Sequence, residues 1–175
     1  MKTMRTLSLF SLVLLCVVGC SRQKLPDGMP KPYPVTMTVT QDGKPLADAM
    51  VLLSHVDGQW PAQGVSDSNG VIKTFYTNSK YPGVVAGQFK VCVRKVEKVY
   101  AIDPKDIPPE PTDLQEKYAW RMKYQENRIP PKEYDLVETN YADPKTTPLE
   151  LEVSSDKKNN PTFDVGKAVK ILYTR

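Results

Sequence analysis

From Val35 the chain adopts a strict alternation, in which Val35, Met37 and Val39 are interleaved with Thr36, Thr38 and Thr40. A period of two places one set of side chains on a buried face and the other toward water, as a half-buried strand does. Gln41-Asp42-Gly43-Lys44-Pro45 ends this strand, because Asp-Gly is a tight-turn pair and Pro45 cannot donate to a continuing ladder. A second strand is expected over 49–55. The turn Ser66-Asp67-Ser68-Asn69-Gly70 separates a short strand from another over 71–77. Further strands are expected over 87–94, 149–153, 162–165 and 168–173. Short strands divided by turn signals, without alternating helices, predict an all-β antiparallel sandwich or barrel.

Residues 98–148 break this rhythm and hold eight of the sixteen prolines. They are read as an insertion in a domain spanning 35–175. Within it Thr112-Asp113-Leu114-Gln115 has the form of a Thr-x-x-Gln capping box, followed by a stretch free of glycine and proline up to Pro130. One helix is expected, from Asp113 to about Asn127. Leu114, Tyr118 and Met122 recur every fourth residue, a stripe expected to face the body, with Asp113 pairing Lys117 on the surface.

The N-terminal region sets an address. Lys2 and Arg5 precede an apolar run from Leu7 to Val18, the order of a secretory signal. The run is short of the about 20 residues a spanning helix needs, and Arg22 and Lys24 follow almost at once. It ends Val17-Val18-Gly19-Cys20, which resembles the lipobox of bacterial lipoproteins rather than an Ala-x-Ala cleavage site; the alternative is an ordinary signal with a chance cysteine. The resemblance implies cleavage before Cys20, acylation of its thiol, and a lipid anchor there. Two or more acyl chains hold a protein durably where one does not. Residues 1–19 are thus read as signal peptide, and the proline-rich stretch 20–34 as an extended tether.

Loss of Lys2 and Arg5 changes the 24 basic and 20 acidic residues to 22 and 20, a net charge of +2. Such a balance gives no reason to expect nucleic acid as a partner. With Cys16 removed and Cys20 acylated, only Cys92 remains, so the fold is expected to hold without an internal disulfide.

The residues of the sandwich resemble carboxypeptidase regulatory-like, or transthyretin-like, domains. The likeness lies in the turn Asp42-Gly43-Lys44-Pro45-Leu46, the core pattern Ala49-Met50-Val51, the turn Ser66 to Gly70 with Ser in place of Thr, and the strand Gly87-Gln88-Phe89-Lys90-Val91-Cys92-Val93. It resumes weakly over 146–153 and 160–165, and has no firm counterpart for the insertion. It implies an antiparallel, Ig-like sandwich of about seven strands that binds or supports a partner without chemistry of its own. Some members of the wider fold group bind carbohydrate.

The residues themselves offer little for catalysis. His55, the sole histidine, is in phase with Ala49, Val51 and Leu53 at a strand end, where a rim or core position is expected. Ser54 points to the opposite face and cannot form a relay with it. Asp67, Asn69 and Gly70 invite comparison with a calcium loop, but with Gly70 at the sixth position Val65 and Tyr76 fall where carboxylates are needed. A turn in which Asp67 binds backbone amides is expected instead. No catalytic group, metal or cofactor is therefore assigned.

Two surfaces stand out. Trp60, Tyr118, Trp120 and Tyr124 are candidate ligand-binding residues, since aromatic faces with polar neighbours can stack on sugar rings; for Tyr118, Trp120 and Tyr124 the favoured expectation is that they fasten the insertion to a sheet. Cys92 shares a face with Lys90 and Arg94, while Met50 and Leu52 face away from Ala49, Val51 and Leu53. A bare face of this kind would expose apolar side chains and a thiol. The insertion, led by its helix, is expected to cover part of it. The chain is thus expected to be a non-enzymatic, lipid-anchored envelope protein, with an envelope protein or a glycan as partner. Ser21 favours the outer membrane by resemblance to sorted lipoproteins.

Overall fold

The computed structural model describes residues 24–126 and 130–173. The signal segment, Cys20 and the expected helix end at Asn127 lie outside the described residues.

The alternating segments build an all-β sandwich. One sheet has six strands in the order Glu150–Val153, Gly87–Arg94, Met50–His55, Ala62–Val65, Tyr76–Thr77, Tyr81–Pro82, each antiparallel to its neighbour. Facing it, Met37–Gln41 pairs with Thr162–Asp164 on one side and with Lys44–Pro45 and Val71–Ile72 on the other. Met37, Val39, Val51, Leu53, Ile72, Phe75, Phe89, Val91 and Val93 are fully buried between them. These are the inward members of the period-two patterns, and their removal from water is the main favourable term for the fold.

Two details depart from expectation. Thr162–Asp164 runs parallel to Met37–Gln41. The expected strand over 71–77 is divided, because Val71–Ile72 belongs to one sheet and Tyr76–Thr77 to the other. The chain crosses the sandwich between them, and Phe75 fills the core at the crossing.

Local chemistry fixes the turns. Asp42 and Gly43 both have positive φ, 51° and 71°, as the two central residues of a type I′ hairpin must. The Asp67 carboxylate accepts from the backbone N–H groups of Asn69 (2.9 Å) and Val71 (3.1 Å). These bonds hold its pKa below the ordinary carboxylate value.

The tether is committed over its described part. Pro32–Tyr33 pairs with Val84–Val85, Met29 is buried, and Leu25 packs against the core. The body of the protein therefore begins ahead of Val35.

Beyond Arg94 the chain continues into Val96–Val99, which with Lys132–Asp135 and Ile171–Leu172 forms a separate three-stranded extension. The helix, Leu114–Arg121 followed by a π turn over Met122–Glu126, lies between its first two strands in sequence. Its cap is Asp113 rather than Thr112; the Asp113 carboxylate accepts from the N–H groups of Gln115 (2.9 Å) and Glu116 (3.1 Å). Its stripe does not face the body, since Leu114 is 82% and Tyr118 65% exposed. The preceding loop holds the helix instead. Glu110 binds Arg121 Nε (2.8 Å) and Lys117 Nζ (3.3 Å), and the Trp120 indole N–H donates to the Pro108 carbonyl (2.9 Å). Lys117 thus pairs with Glu110, and Asp113 serves the cap.

Register decides which loops share an end of the sandwich. Phe89 is opposite His55, Gly87 is opposite Val153, and Val35 bridges Asn159. The N-terminal segment and the loops 56–61, 78–80 and 154–161 therefore gather at one end. Arg94 is opposite Met50, which is opposite Val65, so the Ser66–Gly70 turn and the extension lie at the other.

Candidate functional site

The four aromatic candidates do not converge. Trp60 sits in the loop after Met50–His55, partly buried against the sandwich core, at the end away from the extension. Trp120 and Tyr124 share the helical segment, their ring centroids 5.7 Å apart and tilted by 51°. The Lys123 ammonium lies 5.0 Å from the Tyr124 ring centre. Tyr118 points to solvent.

A more continuous surface lies on the outer face of the six-stranded sheet. Half of this face is covered. Thr139–Ala142, in a 3-10 turn, lies against Gly87–Arg94, and the buried Thr147 hydroxyl donates to the Val91 carbonyl at 2.7 Å. Cys92 is buried beneath this cover, and burial, with the nearby Asp143 charge, pushes its thiol pKa up. The insertion does shield the thiol, but through its last segment rather than its helix.

The other half is open. Met50 (56% exposed), Val65 (59%), Tyr76 (45%) and Leu52 (37%) form an apolar patch. Met50 is opposite Val65, and Gln63 is flanked by Leu52 on one strand and Tyr76 on the other. A shallow groove of about 340 Å³ runs beside them, lined by Met50, Gln63, Gly64, Val65, Thr74 and Tyr76. Sequence reasoning found Met50 and Leu52 but missed Val65 and Tyr76. In Ala62–Val65 the small residues face inward and the larger ones outward, inverting the usual signal. Gly64 is inward because a Cβ there would stand 2.5 Å from Ile72 Cγ2. That close approach is set by the fold and leaves no signal in the local sequence.

The polar residues serve the fold. The His55 ring packs edge-on against Phe89 with centroids 4.8 Å apart, and its Nδ1 accepts from the Asp57 N–H at 3.2 Å. Among the described residues no group of three or more His, Cys, Asp or Glu side chains could hold a metal ion. No helix among them is long and apolar enough to cross a membrane.

Family models, curated proteins and solved structures give no match to this chain.

What the open half can do is therefore argued from its own chemistry. A flat patch of Met, Leu, Val and Tyr beside a polar Gln offers apolar area to a partner, and a methionine can adapt to an irregular surface.

Proposed function

We propose that this chain is a lipid-anchored protein of the bacterial envelope, whose sandwich serves as a non-catalytic interaction module. The order Lys2 and Arg5, Leu7 to Val18, then Cys20 supports the anchor. The observation that carries the interaction role is the apolar patch of Met50, Leu52, Val65 and Tyr76, exposed beside a half of the same sheet that the chain covers. The motifs at Asp42 to Leu46 and Gly87 to Val93 fit a carboxypeptidase regulatory-like domain, which belongs to this same reading.

Mass spectrometry of the protein from its host tests the anchor. A chain beginning at Cys20 with diacylglycerol on its sulfur is expected, and Cys20→Ser is expected to abolish it. An unmodified residue 20 in the native product would remove the reading. A photo-crosslinker at Tyr76 is expected to capture an envelope component, with one at the covered Thr147 as the silent control.

A second reading, glycan binding, draws on the neighbouring rings of Trp120 and Tyr124, with the exposed Tyr118 on the same helix. A glycan array with Trp120→Ala as control tests it. Binding lost in the variant supports sugar recognition.

A further inference from the structure

The end of the sandwich nearest the anchor has a composition that the envelope role leaves unexplained. Leu25 packs against the core and Met29 is buried, so the chain is fixed to the body only five residues after Cys20. Even fully extended, that link spans at most about 18 Å. If Cys20 carries the acyl chains, this end of the sandwich cannot stand far from the bilayer.

The loops gathered here by register are basic at their tips. Lys24, Lys31, Lys80, Lys157 and Lys158 are all exposed, against the exposed acids Asp27, Asp57, Asp156 and, at the adjoining strand end, Glu152. Asp57 lies 3.7 Å from His55 Nδ1, and Asp156 accepts from the Ser154 hydroxyl. The excess is cationic, and two of its lysines stand over tyrosine rings: Lys31 is 5.7 Å from the Tyr33 ring centre and Lys80 is 5.4 Å from that of Tyr81. Tyr33, Tyr81 and Trp60 are all partly buried against the core, and Val56, in the adjoining loop, is 61% exposed. Tyrosine and tryptophan with an apolar body and a polar tip, surrounded by lysine, are the side chains that settle at a lipid headgroup layer.

We propose that this end of the sandwich, through Lys31, Lys80, Lys157 and Lys158 with Val56 and Trp60, lies directly against an anionic lipid surface. The proposal rests on the lipid-anchor reading and adds an orientation to it. The anchor confines this end to within about 18 Å of the bilayer, and docking then places the lysines within a Debye length of the headgroups, about 8 Å at physiological salt, where weak individual attractions act together. The extension, which starts at the far end of Gly87–Arg94, is then directed away from the bilayer, and the open sheet face stands upright beside it.

The two tryptophans, Trp60 at the proposed contact and Trp120 in the insertion, make the test direct. The acylated protein is reconstituted in vesicles of phosphatidylglycerol and phosphatidylcholine carrying brominated acyl chains. Trp120→Phe leaves Trp60 as the reporter, and its emission is expected to be quenched; Trp60→Phe leaves Trp120, expected to be unaffected. Lys157→Glu with Lys158→Glu, or raised salt, is expected to relieve the quenching. A nitroxide at Lys80→Cys, against one at Lys98→Cys in the extension, gives the same contrast without altering Trp60. Protein that floats with the vesicles while Trp60 is unquenched, or while Trp120 is quenched in its place, overturns the docking and leaves the anchor standing. Protein that does not float overturns both.

Discussion

Arg94 and Asp135 join the sandwich to its extension, with Arg94 Nε donating to Asp135 Oδ1 at 2.9 Å and the Asp135 side chain only 8% exposed. Arg94 is the last residue of the strand Gly87–Arg94 and Asp135 the last of the middle strand of the extension. The guanidinium also stands 4.9 Å from the ring centre of Tyr173, so three separate stretches of chain meet on one cation. Removing the acid leaves a cation beside apolar and aromatic groups, with Nη2 already lacking a partner. Asp135→Ala is expected to cost about 1–3 kcal/mol, less than a fully buried pair because Arg94 is partly exposed. Hydrogen exchange should show Lys132–Asp135 and Ile171–Leu172 opening well before the sandwich strands. Equal acceleration in both layers would contradict this junction.

Gly70 tests how far the turn dictates the fold. Its φ is +73°, and a Cβ there would lie 2.4 Å from the Val39 carbonyl oxygen, whose neighbouring N–H donates 2.8 Å to the Gly70 carbonyl across the facing sheet. Gly28 has a similar φ of +80° with nothing within 4 Å. Gly28→Ala therefore isolates the conformational cost, about 1–2 kcal/mol. Gly70→Ala adds a backbone clash and is expected to lose at least about 1 kcal/mol more by chemical denaturation.

Asp164 links pH to stability. Its carboxylate accepts from Thr40 Oγ1 (2.7 Å) and from the N–H groups of Gly43 (3.0 Å) and Gly166 (2.8 Å), tying the end of its strand to the Asp42–Gly43 hairpin. The Thr40 hydroxyl first, then the two amides, lower its pKa from the ordinary 3.8. A depressed carboxylate contributes stability that is present above its unfolded value and is lost as pH falls through the folded one. Asp164→Asn is expected to be less stable than the parent at neutral pH, with the gap closing below about pH 4. Asp67, Glu110 and Glu150 are lowered as well, so the difference between the two Tm curves, rather than either alone, reports Asp164.

The sandwich was legible because its signals are local. The alternation from Val35, the Asp42-Gly43 pair and the strand Gly87–Arg94 all lie where the sequence places them. The errors arose where distant groups decide. Val71 to Thr77 reads as one strand, but the two sheets divide it. The Pro-rich segment reads as a spacer, yet Val84–Val85 offers Pro32–Tyr33 an edge. On the open face, Val65 and Tyr76 were hidden because the core takes Gly64 on the inward side for reasons that lie in Ile72, eight residues away. The alternation identifies a face but not what covers it. Thr147 reaches the Val91 carbonyl, on the strand that carries Cys92, only through the return of the insertion.

The helix gives the plainest contrast between pattern and packing. Leu114, Tyr118 and Met122 have the spacing of a buried stripe, and burial would make truncation of Leu114 cost about 2–5 kcal/mol. In the structure Leu114 is almost fully exposed, and an eight-residue helix is too short to persist by propensity alone. What holds it is Glu110, whose pKa is lowered by the hydrogen bond from Arg121 and by Lys117. Leu114→Ala is therefore expected to change stability by less than about 0.5 kcal/mol. Glu110→Ala should instead accelerate amide exchange across 114–121 while leaving Gly87–Arg94 unchanged. A large loss of stability from Leu114→Ala, without any effect of Glu110→Ala on the helix, would mean that the stripe faces the sandwich after all.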